Sequence, residues 1–254
     1  MKLAIMQPYF LPYVGYFQLI AAVDKFVFLD DVHFINRGWI NRNHIALQGV
    51  KHLFTIPLIG ASQNRLIHEI EVDADPRWRH KLLLTVERAY RKAPCFGDVF
   101  AGLKALLTPE PVTIGDLAKR SIRWVNERLG LATPTVDSSG IYGNAHLKGA
   151  ERIRDICLRE RATIYVNPPG GRELYETSFF AERQLELRFL EPALDAYPQY
   201  DGEFLPGLSV LDLLMHLPPE LAIQWVRRGA LGAPDDAAVS PAASANQPPE
   251  VEAV

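Results

Sequence analysis

Residues 2–31 decide the fold, and they read KLAIMQPYFLPYVGYFQLIAAVDKFVFLDD. The apolar run at 2–6 predicts a buried strand. The two prolines that follow predict a loop, because each removes a backbone donor and disfavours helix at the residue before it. Residues 13–23 then predict a helix, and the β-branched and aromatic run at 25–29 predicts a second buried strand. This strand–loop–helix–strand order is typical of a βαβ unit with two parallel strands.

The βαβ unit places two loops at one edge of the predicted sheet. The first loop begins after residue 6, and the second begins at Asp30 and Asp31. Open parallel sheets bind ligands outside the carboxyl ends of their strands. We therefore expect a ligand site where these two loops approach each other.

The rest of the chain alternates helices and strands. Residues 32–72 predict a small β excursion with short extended pieces near 45–47, 53–57 and 67–72. Hydrophobic periodicity and capping residues predict further helices at 76–91, 113–129, 147–160, 178–183, 209–217 and 220–228. Two further strands are predicted at 163–166 and 185–190. The fold class is therefore α/β, with a parallel-sheet core and helical insertions.

The C-terminal segment, residues 230–254, differs in composition from the rest. It has four acidic residues and neither aromatic nor basic residues. Such a chain cannot bury enough apolar area to offset its ordering entropy, which predicts a disordered tail. Removing its acids changes the formal net charge from -3 to +1. The predicted domain at 1–229, with a helical lobe near 75–145, is therefore almost neutral.

Composition excludes several classes of protein. A net charge of -3 over 254 residues argues against a general nucleic-acid binder. The two cysteines, Cys95 and Cys157, cannot form a disulfide framework, and the seven histidines lack the spacing of a zinc site, so we expect no metal. We see no signal peptide, and no apolar stretch has the roughly 20 residues of a membrane span. We therefore expect a cytoplasmic protein without a membrane span.

The first candidate site is the loop-to-helix turn at 7–17, where we expect Gln7, Tyr9, Tyr13 and Gly15 to contact a ligand. A helix N-terminus offers unpaired N–H groups and a positive dipole end, which suit a phosphate or carboxylate. Gly15 would allow close approach of the backbone to that ligand. The alternative is that the aromatic residues pack in the core and the prolines only shape the turn.

The same turn invites one comparison of architecture. Nucleotidylyltransferases and pantothenate synthetases carry His-x-Gly-His at this point of a Rossmann-like core, whereas this chain reads Tyr13-Val14-Gly15-Tyr16. The glycine fits, but a tyrosine with an ordinary pKa of about 10 carries no positive charge at neutral pH. The core thus resembles the nucleotidylyltransferase architecture, and adenylylation chemistry does not follow from it.

Asp30 and Asp31 are the candidate catalytic residues. Adjacent carboxylates at a strand end could bind Mg²⁺, orient a sugar hydroxyl or act as a general base. Neighbouring side chains on an extended chain point to opposite sides, so we expect only one of them to face the cleft. The alternative is that they cap backbone amides in a turn.

The segment at 37–44 is the third candidate site, and it reads RGWINRNH. Trp39 could stack on a ring, Asn41 and Asn43 could bind the polar groups of a sugar or base, and Arg42 suits a phosphate or carboxylate. A tryptophan in so polar a run is costly unless it packs or binds something. The alternative is a polar hairpin on the surface.

The fourth candidate site is the glycine-rich loop at 165–175, which reads YVNPPGGRELY. A rigid proline pair precedes a flexible glycine pair, and such a loop can expose backbone donors to a ligand. We include Gly170 and Tyr175 among the substrate-binding candidates. A plain turn is the alternative interpretation.

Four segments of the chain resemble the WbqC-like protein family of bacteria: 7–17, 24–34, 38–45 and 208–214. The resemblance implies an association with gene clusters for O-antigen and other surface polysaccharides, and some members have been suggested to transfer glycine onto an amino sugar. One departure stands at 165–169, where a Tyr-Leu-Ser-Gly-type strand end is expected and the chain reads YVNPP, a stiffer loop.

The leading hypothesis is a transferase that adds a small acyl or aminoacyl group, such as glycine, to a nucleotide-linked amino sugar. Asp30 or Asp31 would take a proton from the attacking amine, because the amine must be neutral to attack. ATP and an aminoacyl donor, including a charged tRNA, stay open as cofactors, and so does the oligomeric state. The alternatives are a non-catalytic binding or scaffold protein of a polysaccharide pathway and an ATP-dependent ligase.

Overall fold

The computed structural model describes residues 1–108, 113–199 and 202–232. The described strands are β1 (Lys2–Met6), β2 (Lys25–Phe28), β3 (Arg42–Leu47), β4 (Val50–Thr55), β5 (Leu58–Ile59), β6 (Glu71–Val72), β7 (Thr135–Val136), β8 (Ile164–Asn167), β9 (Glu186–Glu191) and β10 (Ala230–Leu231). The described α-helices are α1 (Val14–Ala22), α2 (Arg77–Tyr90), α3 (Phe96–Leu107), α4 (Ile114–Leu129), α5 (Gly149–Arg159), α6 (Thr177–Ala181), α7 (Val210–His216) and α8 (Pro219–Val226).

The central sheet contains six strands in the order β10-β9-β8-β1-β2-β7. β1 pairs in parallel with β2 on one side and with β8 on the other, so the predicted parallel pairing of the first two strands is confirmed. Within this sheet, as far as it is described, only β10 runs antiparallel to its neighbour. The fold is therefore α/β with a mixed, mostly parallel sheet.

β1 lies in the middle of the sheet because its sequence suits burial on both faces. Leu3 and Ala4 are fully buried, and Ile5 is opposite Val27 in the ladder. A strand covered by helices on both faces needs an apolar residue at each position rather than an alternating pattern. The run LAIM provides this.

The path of the chain opens a crevice between β1 and β8. From β1 the chain proceeds through α1 to β2, and the strands on that side end with β7. It returns through α5 to β8, on the opposite side of β1, and continues to β9. The loops after β1 and β8 therefore diverge, and this topological switch point is where open α/β sheets bind ligands.

Most elements lie within a few residues of their predicted bounds, and α3 is the main omission. Its two glycines, Gly97 and Gly102, weaken the helical signal. Gly102 has a packing role, since an added Cβ would lie 2.8 Å from Nε1 of Trp124 on α4. Residues 67–72, predicted as one extended piece, instead form a 3₁₀ turn at Ile67–Glu69 followed by β6.

The start of the predicted tail also differs from the prediction. Ala230 and Leu231 form β10, which pairs with Glu191 and Leu190. The remainder of the predicted tail beyond residue 232 lies outside the described residues.

The helices between β6 and β7 share the core of the sheet. α3 contacts α7, and α4 contacts α8. In the described ranges, the buried apolar residues form one cluster that includes members of α2, α3 and α4. The division into one domain with a helical lobe stays a prediction. No described helix is long and apolar enough to cross a bilayer.

A buried carboxylate ties α7 to its neighbours. Asp212 on α7 is fully buried, and its two oxygens accept hydrogen bonds from the hydroxyls of Tyr90 and Tyr197, each at 2.7 Å. Gln199 donates a third bond at 2.9 Å. The hydroxyl of Tyr90 also accepts from the amide of Ala46 at 3.2 Å, which joins α7 to α2 and β3. Buried polar groups are stabilising when they are hydrogen-bonded in this way.

Candidate ligand-binding site

A cavity of about 130 Å³ occupies the crevice between β1 and β8. Its lining comes from the end of β1, the loop after it and the start of α1, and from the loop after β8. Trp39, Asn43 and residues between 192 and 207 complete the wall. The cavity thus lies at the topological switch point, at the N-terminal end of α1.

The cavity has a buried floor and a more exposed rim. Tyr9, Tyr16 and Leu19 line it and are each at most 5% exposed. Trp39 and Tyr13 are partly exposed, and Leu174 is 43% exposed. Aromatic and aliphatic surface therefore extends from the solvent to the core of the molecule, as in many small-molecule sites.

The part of the lining that the structure describes carries no charged side chain. Burial raises the pKa of Tyr13 from 10.0 to about 12, and burial with the nearby Tyr13 also raises the pKa of Tyr9. Both hydroxyls are therefore neutral at ordinary pH and can donate hydrogen bonds. The cavity suits an uncharged group, because burying an unpaired charge there would be costly.

The loop after β1 owes its shape to Leu11, which has a left-handed backbone with φ of 46°. The Ser121 hydroxyl accepts a bond from the Leu11 amide at 2.9 Å. The Leu11 carbonyl accepts from the Asn43 amide at 2.8 Å and from the Ser209 hydroxyl at 2.7 Å. Non-glycine residues keep such a conformation when their surroundings over-determine it.

Asn43 lines the cavity, but both polar atoms of its carboxamide form hydrogen bonds with backbone groups. Its Nδ2 donates to Leu11, and its Oδ1 accepts from the backbone amide of His44 at 2.8 Å. With both ends of the carboxamide engaged, Asn43 holds β3 against the loop after β1. We therefore interpret Asn43 as a residue that positions the wall.

Gly15 makes room for the ring of Tyr13. A Cβ at Gly15 would lie 2.4 to 2.6 Å from ring and hydroxyl atoms of Tyr13, closer than any side chain tolerates. The ring therefore lies across the first turn of α1, where it forms part of the cavity wall. Tyr13 provides no side-chain cap for α1.

Asn167, at the end of β8, is the site residue that sequence reasoning missed. It lines the cavity, is 6% exposed, and its carboxamide makes no hydrogen bond to any residue that the structure describes. A Cβ at Gly171 would lie 1.7 Å from its Nδ2, so the glycine allows Asn167 its position. The available signal was the departure from the family pattern at 165–169.

The structure brings six of the predicted binding residues to the cavity: Tyr9, Tyr13, Gly15, Trp39, Asn43 and Gly170. Four others lie outside its lining: Gln7, Asn41, Arg42 and Tyr175. Arg42 lies beside a residue of the lining, because its guanidinium is 5.8 Å from the ring centroid of Trp39.

The other three are buried. Gln7 is 3% exposed, and its Oε1 has no hydrogen-bond partner among the described residues. Asn41 donates to the carbonyl of Ile56 at 2.8 Å. Tyr175 packs against Tyr165, with 6.0 Å between ring centroids.

Asp30 and Asp31 lie outside the cavity in buried ion pairs. Asp30 accepts from Lys119 Nζ at 2.9 Å and from the Ser138 hydroxyl at 2.6 Å. Asp31 accepts from the Ser139 hydroxyl and from the guanidinium of Arg152. All four carboxylate oxygens are thus engaged, and the pairs attach α4 and α5 to the end of β2. A catalytic role for either aspartate requires its ion pair to open.

Together these features define an α/β protein with an uncharged, aromatic cavity at the switch point of a mostly parallel sheet. The chain belongs to the WbqC-like protein family, whose model matches residues 7–223. It is 30% identical over 228 residues to the uncharacterized protein Rv1507c of Mycobacterium tuberculosis strain H37Rv. The aligned region covers 86% of this chain and 95% of that protein. No solved structure matches the chain significantly.

The buried pair at β2 gives a prediction about stability. Lys119→Met leaves Asp30 buried without its cation, and we expect it to lower the free energy of unfolding by about 3–5 kcal/mol. The control is Lys81→Met on the exposed face of α2, which should change stability little. Urea unfolding followed by circular dichroism measures both. Equal effects of the two substitutions would show that the ion pair does not hold Asp30.

The contact between Gly15 and Tyr13 predicts that the effect of Gly15→Ala on stability changes sign when the tyrosine ring is removed. In the wild-type protein, Gly15→Ala should be destabilising because the new methyl group displaces the tyrosine ring. In a Tyr13→Ala background the same substitution should stabilise α1 by up to about 1 kcal/mol, since alanine is the better helix former. Gly97→Ala on α3 is the control, because an added Cβ there would have no atom within 4 Å beyond its own helix and chain neighbours. Additive effects at Gly15 and Tyr13 would contradict the contact.

Proposed function

We propose that the protein is a transferase that adds a small acyl or aminoacyl group, such as glycine, to a nucleotide-linked amino sugar of surface-polysaccharide biosynthesis. The chain belongs to the WbqC-like family, and the association that this resemblance implies with O-antigen gene clusters supports the pathway. The cavity supports a small-molecule substrate. A scaffold protein would instead need an exposed apolar patch for its partner.

We also propose that the core is Rossmann-like and related in architecture to nucleotidylyltransferases. Three features support this: the parallel pairing of β1 with β2 and β8, the turn from β1 into α1, and a cavity at the switch point. Such cores bind nucleotides where their strand order reverses.

The observation that carries the proposal is the uncharged aromatic cavity between the loops after β1 and β8. Tyr9, Tyr13 and Trp39 offer ring faces to a flat base or to the apolar face of a sugar. Arg42, beside Trp39, offers a cation to a phosphate outside the cavity. A nucleotide-linked sugar combines these three kinds of group in one molecule.

The proton of the attacking amine needs an acceptor. We keep Asp30 or Asp31 as the proposed general base. In the structure each carboxylate is held in an ion pair, Asp30 with Lys119 and Asp31 with Arg152. One pair must open when the substrate binds, so that a carboxylate oxygen is released towards the amine. If they stay closed, the aspartates act by positioning the strand end.

A transfer assay tests the proposal. The protein is incubated with nucleotide-linked amino sugars and either glycine with ATP or glycyl-tRNA, and we expect a mass gain of one glycyl residue on the sugar. Trp39→Ala should lower kcat/KM by about tenfold or more, since it removes a wall of the cavity. Trp78→Ala, on α2 outside the cavity, is the matched control.

The outcomes separate the competing functions. Loss of transfer in an Asp30→Asn, Asp31→Asn double variant that keeps its fold supports the general base, whereas unchanged turnover removes it. ATP consumption coupled to transfer identifies a ligase. Absence of transfer with every donor and acceptor would refute the transferase.

A further inference from the structure

The part of the substrate that enters the cavity can be identified from its polar groups and its size. We propose that the cavity is a base-binding subsite for a pyrimidine nucleotide, with the edge of the base recognised by Asn167. This inference rests on the proposed function for the nucleotide-linked substrate, and it specifies which class of nucleotide the protein accepts.

Asn167 points to a ligand because its carboxamide lines the cavity and has no protein partner among the described residues. Its residue is 6% exposed, and its carboxamide makes no hydrogen bond within the described ranges. Its polar atoms are accessible from the cavity rather than sealed in the core, so a ligand that enters must replace the hydrogen bonds that they make with solvent. The Tyr9 hydroxyl on the same buried floor also lacks a partner among the described residues. A bound molecule that pairs with both groups keeps them hydrogen-bonded while it displaces water from the aromatic walls.

The chemistry of a carboxamide selects the partner. It presents an N–H donor and a C=O acceptor side by side, and it pairs best with a neighbouring acceptor and donor. The N3–H and O4 edge of uracil or thymine offers this arrangement, and the N4 and N3 edge of cytosine does so after rotation of the amide. Adenine and guanine offer such a pair as well, so the carboxamide indicates a base and the volume of the cavity decides between one ring and two. Tyr9, whose raised pKa keeps it protonated, can donate to a further carbonyl.

The volume favours one ring. The cavity measures about 130 Å³, and an engineered protein cavity of about 150 Å³ binds benzene. A pyrimidine base has a single six-membered ring, which is close to benzene in size. A purine, with two fused rings, would extend beyond the buried floor into the rim.

A sugar fits the floor less well than a base does. A pyranose ring carries several hydroxyls, and each one left unpaired costs about 1–3 kcal/mol. On the buried floor, Asn167 and Tyr9 have side-chain polar groups without protein partners, whereas Tyr16 already donates to the carbonyl of Gln7 at 2.9 Å. A planar base needs few partners and gains from the aromatic walls.

The phosphates then lie outside the cavity, where a cation is present. Arg42 uses its Nε to donate to the carbonyl of Gly38 at 2.9 Å and forms no ion pair within the described part of the chain. Its guanidinium lies beside Trp39, which lines the cavity. An arginine with free donors suits a phosphate.

Titration calorimetry with free nucleotides tests the inference on the full chain. We expect uridine and thymidine monophosphates to bind about tenfold or more tightly than adenosine and guanosine monophosphates. Asn167→Ala should weaken uridine monophosphate binding by about tenfold, the effect of one good hydrogen bond. Asn126→Ala, a buried asparagine on α4 outside the cavity, is the matched control and should bind as the wild type does.

A second variant covers the case in which Asn167→Ala does not fold. Gly171→Ala keeps Asn167 in the sequence, but its Cβ must displace the carboxamide, so it should also weaken binding. Circular dichroism verifies the fold of each variant. Purines bound as tightly as pyrimidines, an unchanged affinity in both variants, or glucosamine bound more tightly than uridine monophosphate would each overturn the inference.

The two proposals fail separately. Pyrimidine binding without glycyl transfer would refute the transferase and leave the base subsite in place. Glycyl transfer to an amino sugar without a nucleotide, by a protein that binds no nucleotide, would refute the base subsite and the nucleotide-linked acceptor and leave the glycyl transfer in place.

Discussion

The left-handed backbone of Leu11 is the constraint on which the site depends. A leucine in this conformation costs about 1–2 kcal/mol, and the bonds from its amide and carbonyl to three side chains offset that cost. Those partners, Ser121, Asn43 and Ser209, belong to α4, to β3 and to the cap of α7. The loop after β1 thus takes its shape from three distant segments, and its shape sets the positions of Tyr9 and Tyr13 on the cavity wall. The site is assembled by the whole fold rather than by one local motif.

The carboxyl edge of the sheet is divided into two chemical environments. Between β1 and β8 it is aromatic and uncharged, whereas after β2 it holds the paired charges of Asp30, Asp31, Lys119 and Arg152. Buried ion pairs are costly to desolvate and costly to break, so they fix the arrangement of helices without lending charge to the cavity. The uncharged cavity is what favours a base or another neutral group, and in the proposed function the phosphates lie at the rim near Arg42.

Sequence reasoning succeeded where the signal was local. The apolar run of β1, the prolines after it and the aromatic run of β2 predicted the central βαβ unit, and the same loop supplied three residues of the cavity: Tyr9, Tyr13 and Gly15. It could not show that Asp30 and Asp31 meet cations far along the chain, because pairing depends on how α4 and α5 pack. Asn167 was missed for the same reason. Its place in the cavity lining depends on how the loop after β8 packs against the loop after β1.

Hydrogen exchange with and without uridine monophosphate measures the central claim most directly. If the loops after β1 and β8 form one ligand site, amide exchange slows together in residues 7–16 and 167–174. Exchange at 30–34 stays unchanged, because uridine monophosphate carries no amine for the proposed base to engage. Protection at 30–34 without protection of both loops, or protection confined to a different face of the molecule, would contradict the account.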